Sequence, residues 1–213
     1  MHLDRLPASR RRFLTLAGAS VLLAGCTQVF GTKAPQLYML PSKRTYDNDL
    51  PQVHWQLVVA EPVAPESLDT ERIALSHNPT KLDYFADSAW VDRAPLMIQG
   101  LIVESFENTG KIVGVGRSAS DLRADYELQT EVRDFEARYY DGVEQPPKIY
   151  VRIEAKLVKM PERDIIGNAN FVEEVAADRN DIDGIVLAFD DALGKVMKHM
   201  VQWTLRLPPK PTK

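Results

Sequence analysis

Two stretches of the chain alternate apolar and polar residues with a period of two. Tyr126, Leu128, Thr130 and Val132 alternate with Glu127, Gln129, Glu131 and Arg133. Ile149, Val151, Ile153, Ala155 and Leu157 alternate with Tyr150, Arg152, Glu154 and Lys156. Successive side chains of a strand point to opposite faces, so each run predicts a strand with one buried and one wet face. Asp141-Gly142 and Pro146-Pro147 supply turn chemistry between them, and the two runs are expected to pair antiparallel. The period becomes helical near the end of the chain. From about Asp183 to Trp203, Ile185, Val186, Phe189, Leu193, Val196, Met197 and Met200 fall at i, i+3, i+4 steps, which predicts a long amphipathic helix. A shorter helix is expected from Pro95, with Asp92 just upstream, through Leu96, Ile98, Leu101, Ile102 and Phe106 to a stop at Asn108-Thr109-Gly110.

Weaker signals fill the intervals. Residues 37–40 form a short apolar run stopped by Pro41, and a polar loop follows to about Pro51. Residues 55–60 read as a buried strand centred on Leu57, Val58 and Val59, ended by Pro62 and Pro65. Residues 72–76 and 81–85 suggest a hairpin around His77-Asn78-Pro79, and residues 111–115 and 165–172 are further strands. The sum is an α+β domain, a mostly antiparallel sheet with two main amphipathic helices packed on one face.

The first 25 residues follow another logic. Arg5, Arg10, Arg11 and Arg12 precede an apolar stretch from Phe13 to Ala24, twelve residues long, too short for a bilayer core that needs about 20. Leu23-Ala24-Gly25-Cys26 has the apolar-small-small-Cys order of a lipobox, so residues 1–25 are expected to be a lipoprotein signal peptide. The Cys26 thiolate is the nucleophile able to take a diacylglyceryl group as a thioether. Ser9-Arg10-Arg11-Arg12-Phe13-Leu14 also fits the twin-arginine pattern, while an ordinary basic start on the general secretion route needs only the positive charge; both routes lead out of the cytoplasm. Residues 26–36 would be the lipidated cysteine and its tether, 37–207 a single periplasmic domain and 208–213 a Pro/Lys tail. Two or three acyl chains make such anchoring effectively permanent. Thr27, where a retention signal would have aspartate, favours the outer membrane by a sorting rule.

Charge narrows the partners. Four of the 26 basic and one of the 30 acidic residues lie in the first 25 positions, leaving 22 against 29 and a net charge of −7, which argues against nucleic acid. Cys26 is the sole cysteine, so no disulfide framework exists. His54, His77 and His199 are scattered, and no H-E-x-x-H, phosphate loop, dinucleotide fingerprint or G-x-S-x-G elbow occurs. The glycines around residues 110–116 read as turn residues. Residues 178–184 superficially suggest a calcium loop but lack its glycine and closing glutamate, and a helix N-cap cluster is the better account. No cofactor, metal or catalytic residue is expected.

Several segments in order carry a family resemblance. They are Tyr38-Met39-Leu40-Pro41 soon after the lipobox, Val59-Ala60-Glu61-Pro62-Val63 with Leu68-Asp69 and Ile73, Trp90-Val91-Asp92-Arg93-Ala94-Pro95, Ala124-Asp125-Tyr126-Glu127-Leu128, and Ala188-Phe189-Asp190-Asp191-Ala192-Leu193 with Val196 and Trp203. From Tyr38 onward the chain resembles the auxiliary lipoproteins of ABC-type transporters, outer-membrane partners of MCE-type lipid transport systems. It departs from the family's usual pattern at Asp69-Thr70-Glu71-Arg72-Ile73 and in the spacing of Trp90 from Pro95. The resemblance implies an α/β sandwich similar to the amino-terminal domain of the Tol translocation protein, and no enzymatic site. It also implies a periplasmic docking module for an MCE substrate-binding subunit and an ABC permease and ATPase that move phospholipid or another hydrophobic cargo. Trp90, Tyr139 and Tyr140 are the candidate contact residues, because aromatics dominate interface hot spots. A structural or regulatory envelope lipoprotein, such as a cell-wall synthase activator or assembly factor, is the competing class, since one fold hosts many functions. A hydrolase would need a deep pocket with perturbed titratable groups.

Overall fold

A computed structural model describes residues 34–117 and 124–207. The chain divides into Met1–Ala34 and Pro35–Lys213. Arg10, Arg11 and Cys26 in the first unit, and the tail 208–213 in the second, lie outside the described residues. In chain order the elements are β1 (Gln36–Tyr38), β2 (Gln56–Val59), β3 (Arg72–Asn78), β4 (Lys81–Trp90), α1 (Ala94–Glu107), β5 (Gly114–Arg117), β6 (Tyr126–Arg138), β7 (Lys148–Lys159), β8 (Asp164–Ala176) and α2 (Ile182–Arg206).

β6 is the hub of the sheet. One of its edges pairs antiparallel with β7, and β7 pairs antiparallel with β8. Its other edge is shared: β2 runs parallel beside residues 126–128, β3 runs parallel beside residues 136–138, and a bridge from Val63 to Glu131 joins the gap. β5 flanks β2 in parallel, β4 forms the antiparallel hairpin with β3, and β1 adds in parallel to β4. The fold is α+β as expected, and the antiparallel ladders hold the larger share of the paired residues. Four short parallel ladders make the sheet mixed. Parallel partners arrive through crossovers rather than turns, so no local turn signal announces them.

A bulge in β6 decides which side chains face where. Val132 pairs with Ile153 but Asp134 pairs with Arg152, so Arg133 is the extra residue. Before it the buried positions are Tyr126, Leu128, Thr130 and Val132; after it they are Phe135 and Ala137. The opposing strand keeps one unbroken inward set, Ile149, Val151, Ile153, Ala155 and Leu157. One added residue has moved the second half of β6 to the other parity.

Both helices cover the inner face of this sheet and share one core with it. Trp90, Phe135 and Phe189 meet at its centre, with ring centroids 4.9–5.5 Å apart and two of the three contacts edge-to-face. Trp90 is 1% exposed. The expectation that it contacts a partner is therefore corrected: β4 turns Trp90 inward opposite Tyr38, and Phe189 of α2 closes over it. The acidic cluster before α2 does cap it, because the Asp181 carboxylate accepts the Gly184 backbone N–H at 2.7 Å, a contact that stabilises such helices by about 1 kcal/mol. α1 has no side-chain cap and opens on Pro95 instead; Asp92 accepts the N–H of Arg93.

The polar loop after β1 forms a strap across both helices. Lys43 N–H donates to Ser105 Oγ (3.0 Å), the Tyr46 hydroxyl donates to the Ser105 carbonyl (2.7 Å), and Asp47 and Gln202 exchange two hydrogen bonds. Leu40 and Leu50 are buried at its ends. Burial pushes the Tyr46 phenol up to about 12, against the smaller lowering effect of its bond to Ser105.

Candidate docking surface

The polar members of the alternating runs emerge on the outer face of the sheet, opposite the helices. After the bulge these are Asp134, Glu136 and Arg138 on β6, set by register beside Arg152, Tyr150 and Lys148 on β7. Arg138 donates from Nε to Glu136 (2.7 Å) and from a terminal nitrogen to Asp134 (2.9 Å). Its guanidinium carbon stands 3.6 Å from the centre of the Tyr150 ring. Arg152 Nε donates to the other Asp134 oxygen at 2.5 Å. Burial works against the Arg138 charge, but the Glu136 hydrogen bond and charge outweigh it and hold the pKa above the ordinary arginine value. Two carboxylates thus neutralise two guanidiniums in a partly dry layer, where each charge is also hydrogen-bonded. A second knot lies further along, where Arg133 reaches Glu131 at 3.3 Å and pairs closely with Glu154.

Tyr139 and Tyr140 extend β6 beyond this cluster with the parity the bulge imposed. Tyr139 turns inward, packs near His77 and Phe85, and donates its hydroxyl to Asn180 (3.0 Å). Asn180 in turn donates to the Val143 carbonyl (2.9 Å), so this tyrosine fastens the 139–147 turn to the entry of α2. Burial raises its pKa. Tyr140 turns outward, is 44% exposed, and stands 5.6 Å from the Arg138 guanidinium with its hydroxyl 3.5 Å from Ser76 Oγ. It borders a shallow cleft of about 350 Å³ with Ser76, Asn78, Leu82, Glu136 and Arg138. Of the three aromatics expected to make contacts, Tyr140 presents its ring, Tyr139 fastens a turn and Trp90 packs the core. The Arg138 cluster escaped the sequence reading. Its residues were visible as polar alternation, but their meeting depends on the bulge.

The chemistry available is recognition by stacking and charge. The Arg138 and Arg152 cations are engaged by carboxylates, and arginine does not give up its proton at ordinary pH. Among the described residues, no group of three or more His, Cys, Asp and Glu is placed to hold a metal ion. A separate open cleft of about 580 Å³ lies where the chain enters β1, lined by Pro35, Asp69, Arg72, Asp87 and Arg93 among others. Arg93 bridges Asp69 and Glu61 there, and Arg72 stacks on Tyr84 at 3.6 Å.

A family model for ABC-type transport auxiliary lipoprotein components matches residues 38–201, from β1 through most of α2. The chain belongs to this family. A crystal structure of protein XCC0632 from Xanthomonas campestris, assigned to family DUF330, is 30% identical to this auxiliary lipoprotein, superposes with a TM-score of 0.75, and is matched over 94% of its length and 80% of this chain. The structure of another uncharacterized protein, 14% identical with a TM-score of 0.64 over 81% of this chain and 99% of its own, shares the fold. Uncharacterized protein bll6063 of Bradyrhizobium diazoefficiens is 28% identical over 196 residues, covering 86% of this chain and 49% of that protein. The chain thus spans about half the length of the curated relative it matches. Several residues that carry the family resemblance sit in the core: Leu40, Ile73, Trp90, Leu128, Phe189, Leu193 and Val196 are all buried. The family pattern is in large part a packing pattern, and the exposed ring of Tyr140 lies outside the segments that carry it.

Proposed function

We propose that this auxiliary lipoprotein is a non-enzymatic docking module, anchored through Cys26 on the periplasmic face of the outer membrane and serving an ABC transporter with an MCE-type substrate-binding subunit. The cargo class is phospholipid or another hydrophobic molecule moving between envelope membranes. The observation that carries this reading is the family match, which begins at Tyr38, twelve residues after the lipobox cysteine, and runs through the body of the domain.

Two physical features support it. A tether of about ten residues confines the domain to a thin layer beside its membrane, raising its effective concentration toward a membrane-spanning partner, so docking needs little intrinsic affinity. The clefts beside Tyr140 and Arg93 are open and lined by charged groups, which suits contact with protein more than enclosure of an acyl chain. The partner would meet the Tyr140 end of the outer face. Mild-detergent affinity purification of the lipidated protein from its own membranes, with co-purifying proteins and lipids identified by mass spectrometry, tests the proposal. Recovery of an MCE subunit with an ABC permease or ATPase is the expected result; recovery of cell-wall synthases, or of no envelope transporter, would overturn it and favour a structural or regulatory role.

A further inference from the structure

The outer face changes character at the end where the chain enters the domain. Tyr38 pairs with Trp90, and both turn toward the core. Their neighbours Leu37, Met39 and Val91 therefore point the other way, and the Val91 N–H donates to the Tyr38 carbonyl at 2.9 Å, which holds the strand ends side by side. These three apolar side chains are 52%, 71% and 43% exposed. They contrast with the outer faces of β6 and β7, where the alternating positions are mostly charged. They also sit at the Trp90 end of the β3–β4 hairpin, whereas Tyr140 borders the cleft at its Asn78–Lys81 turn.

What covers this patch is indicated by the length of chain before it. Eleven residues separate Cys26 from Leu37, a span of at most about 40 Å even if fully extended, and the patch begins at the second residue of β1. Building on the lipid-anchor reading above, we infer that Leu37, Met39 and Val91 rest against the bilayer that holds Cys26, their side chains entering the boundary between headgroups and acyl chains. The contact is apolar rather than electrostatic: Glu71, Asp87 and Asp92 stand close by in sequence and are exposed, and they would repel an anionic surface. Seating this end on the membrane turns the hairpin's other end, with Tyr140, away from it. A second acyl-level contact also reinforces the anchor, because two membrane signals hold far better than one.

The test uses the full lipidated chain carrying Met39→Cys. Because the Cys26 thiol is consumed by its thioether, the introduced cysteine is the one thiol free to take an environment-sensitive NBD label. The labelled protein is reconstituted in phosphatidylethanolamine/phosphatidylglycerol vesicles with normal or brominated acyl chains, alongside a Lys81→Cys control at the exposed hairpin turn. A residue lying about 5–10 Å into the boundary should show blue-shifted emission and roughly two-fold or greater quenching relative to the control, unchanged at raised salt. Equal quenching at Met39 and Lys81 in protein whose Cys26 carries lipid by intact mass would overturn the inference alone. A blue shift without quenching by brominated lipid would assign the patch to a protein occupant and overturn it as well. An unmodified Cys26 would overturn the anchor reading, and the bilayer contact with it.

Discussion

The inner and outer faces of the sheet use the same strands for opposite ends. Inward, β6 and β7 contribute Leu128, Val132, Phe135, Ile149, Val151 and Ile153 to a core closed by two helices, with Trp90, Phe135 and Phe189 stacked at its centre. Outward, the intervening residues build a neutralised charge layer around Arg138 that ends in an exposed tyrosine. Burial of apolar area is non-directional and tolerant, so the inner face fixes the fold. Charge pairs at a wet surface contribute little to stability. Their arrangement on the outer face instead governs which partner can approach, through complementarity of charge and orientation.

The bulge at Arg133 holds the two faces in phase, so deleting that residue is the most severe way to break the comparison. Deletion would return the second half of β6 to the parity of the first, driving Asp134, Glu136 and Arg138 toward the core. Loss of cooperative unfolding by circular dichroism is expected; a sharp transition close to that of the parent would show that the bulge does not set the register. Next comes Trp90→Ala, which removes the centre of the aromatic cluster and should cost about 3–5 kcal/mol in urea unfolding, as large aromatic truncations in cores do. A change below about 1 kcal/mol would place Trp90 on the surface after all.

Arg138→Ala attacks the outer layer and should cost about 1–2 kcal/mol, less than the 3–5 typical of a fully buried broken pair, because Arg138 and Glu136 retain 19% and 11% side-chain exposure. Arg138→Lys should restore little of it, since lysine lacks the planar fork that serves both carboxylates while stacking on Tyr150. Equal stability of the two variants and the parent would mean the cluster is ornamental. On the helix side, the Tyr46 phenol is raised above its unfolded value of about 10. Its contribution is therefore fully present below pH 10 and lost as the pH rises from there through about 12. Thermal melts across that window should fall in the parent more steeply than in Tyr46→Phe, and identical slopes would remove Tyr46 as the cause.

These faces differed also in how well the sequence revealed them. Period-two alternation marked β6 and β7, and helical spacing marked α1 and α2, because each element has one apolar side. β4 was underestimated: residues 85–88 form an extra loop in its pairing with β3, Asp87 takes a φ of 55°, and the alternation breaks where the reading stopped. The strand expected at 111–115 forms at Gly114–Arg117 instead, since Lys111 uses its N–H on Thr109 and its carbonyl on Val53. On the outer side, composition identified aromatics but not their direction. Without the bulge, Tyr140 would share the inward parity of Leu128 and Val132, and Tyr139 would be the exposed ring. An extra residue within a well-patterned strand leaves no mark that charge or hydropathy can show, and so the site needed coordinates where the core did not.

Photocrosslinking in native membranes from position 140 tests most directly whether the outer face carries docking, because Tyr140 replaced by a photoreactive phenylalanine should change stability by no more than about 0.5 kcal/mol. The expected result is capture of an MCE or ABC transport subunit from position 140 and not from Asp49, an exposed control on the strap over the helices. Equal capture from both positions, or capture of no transport subunit from position 140, would contradict the account.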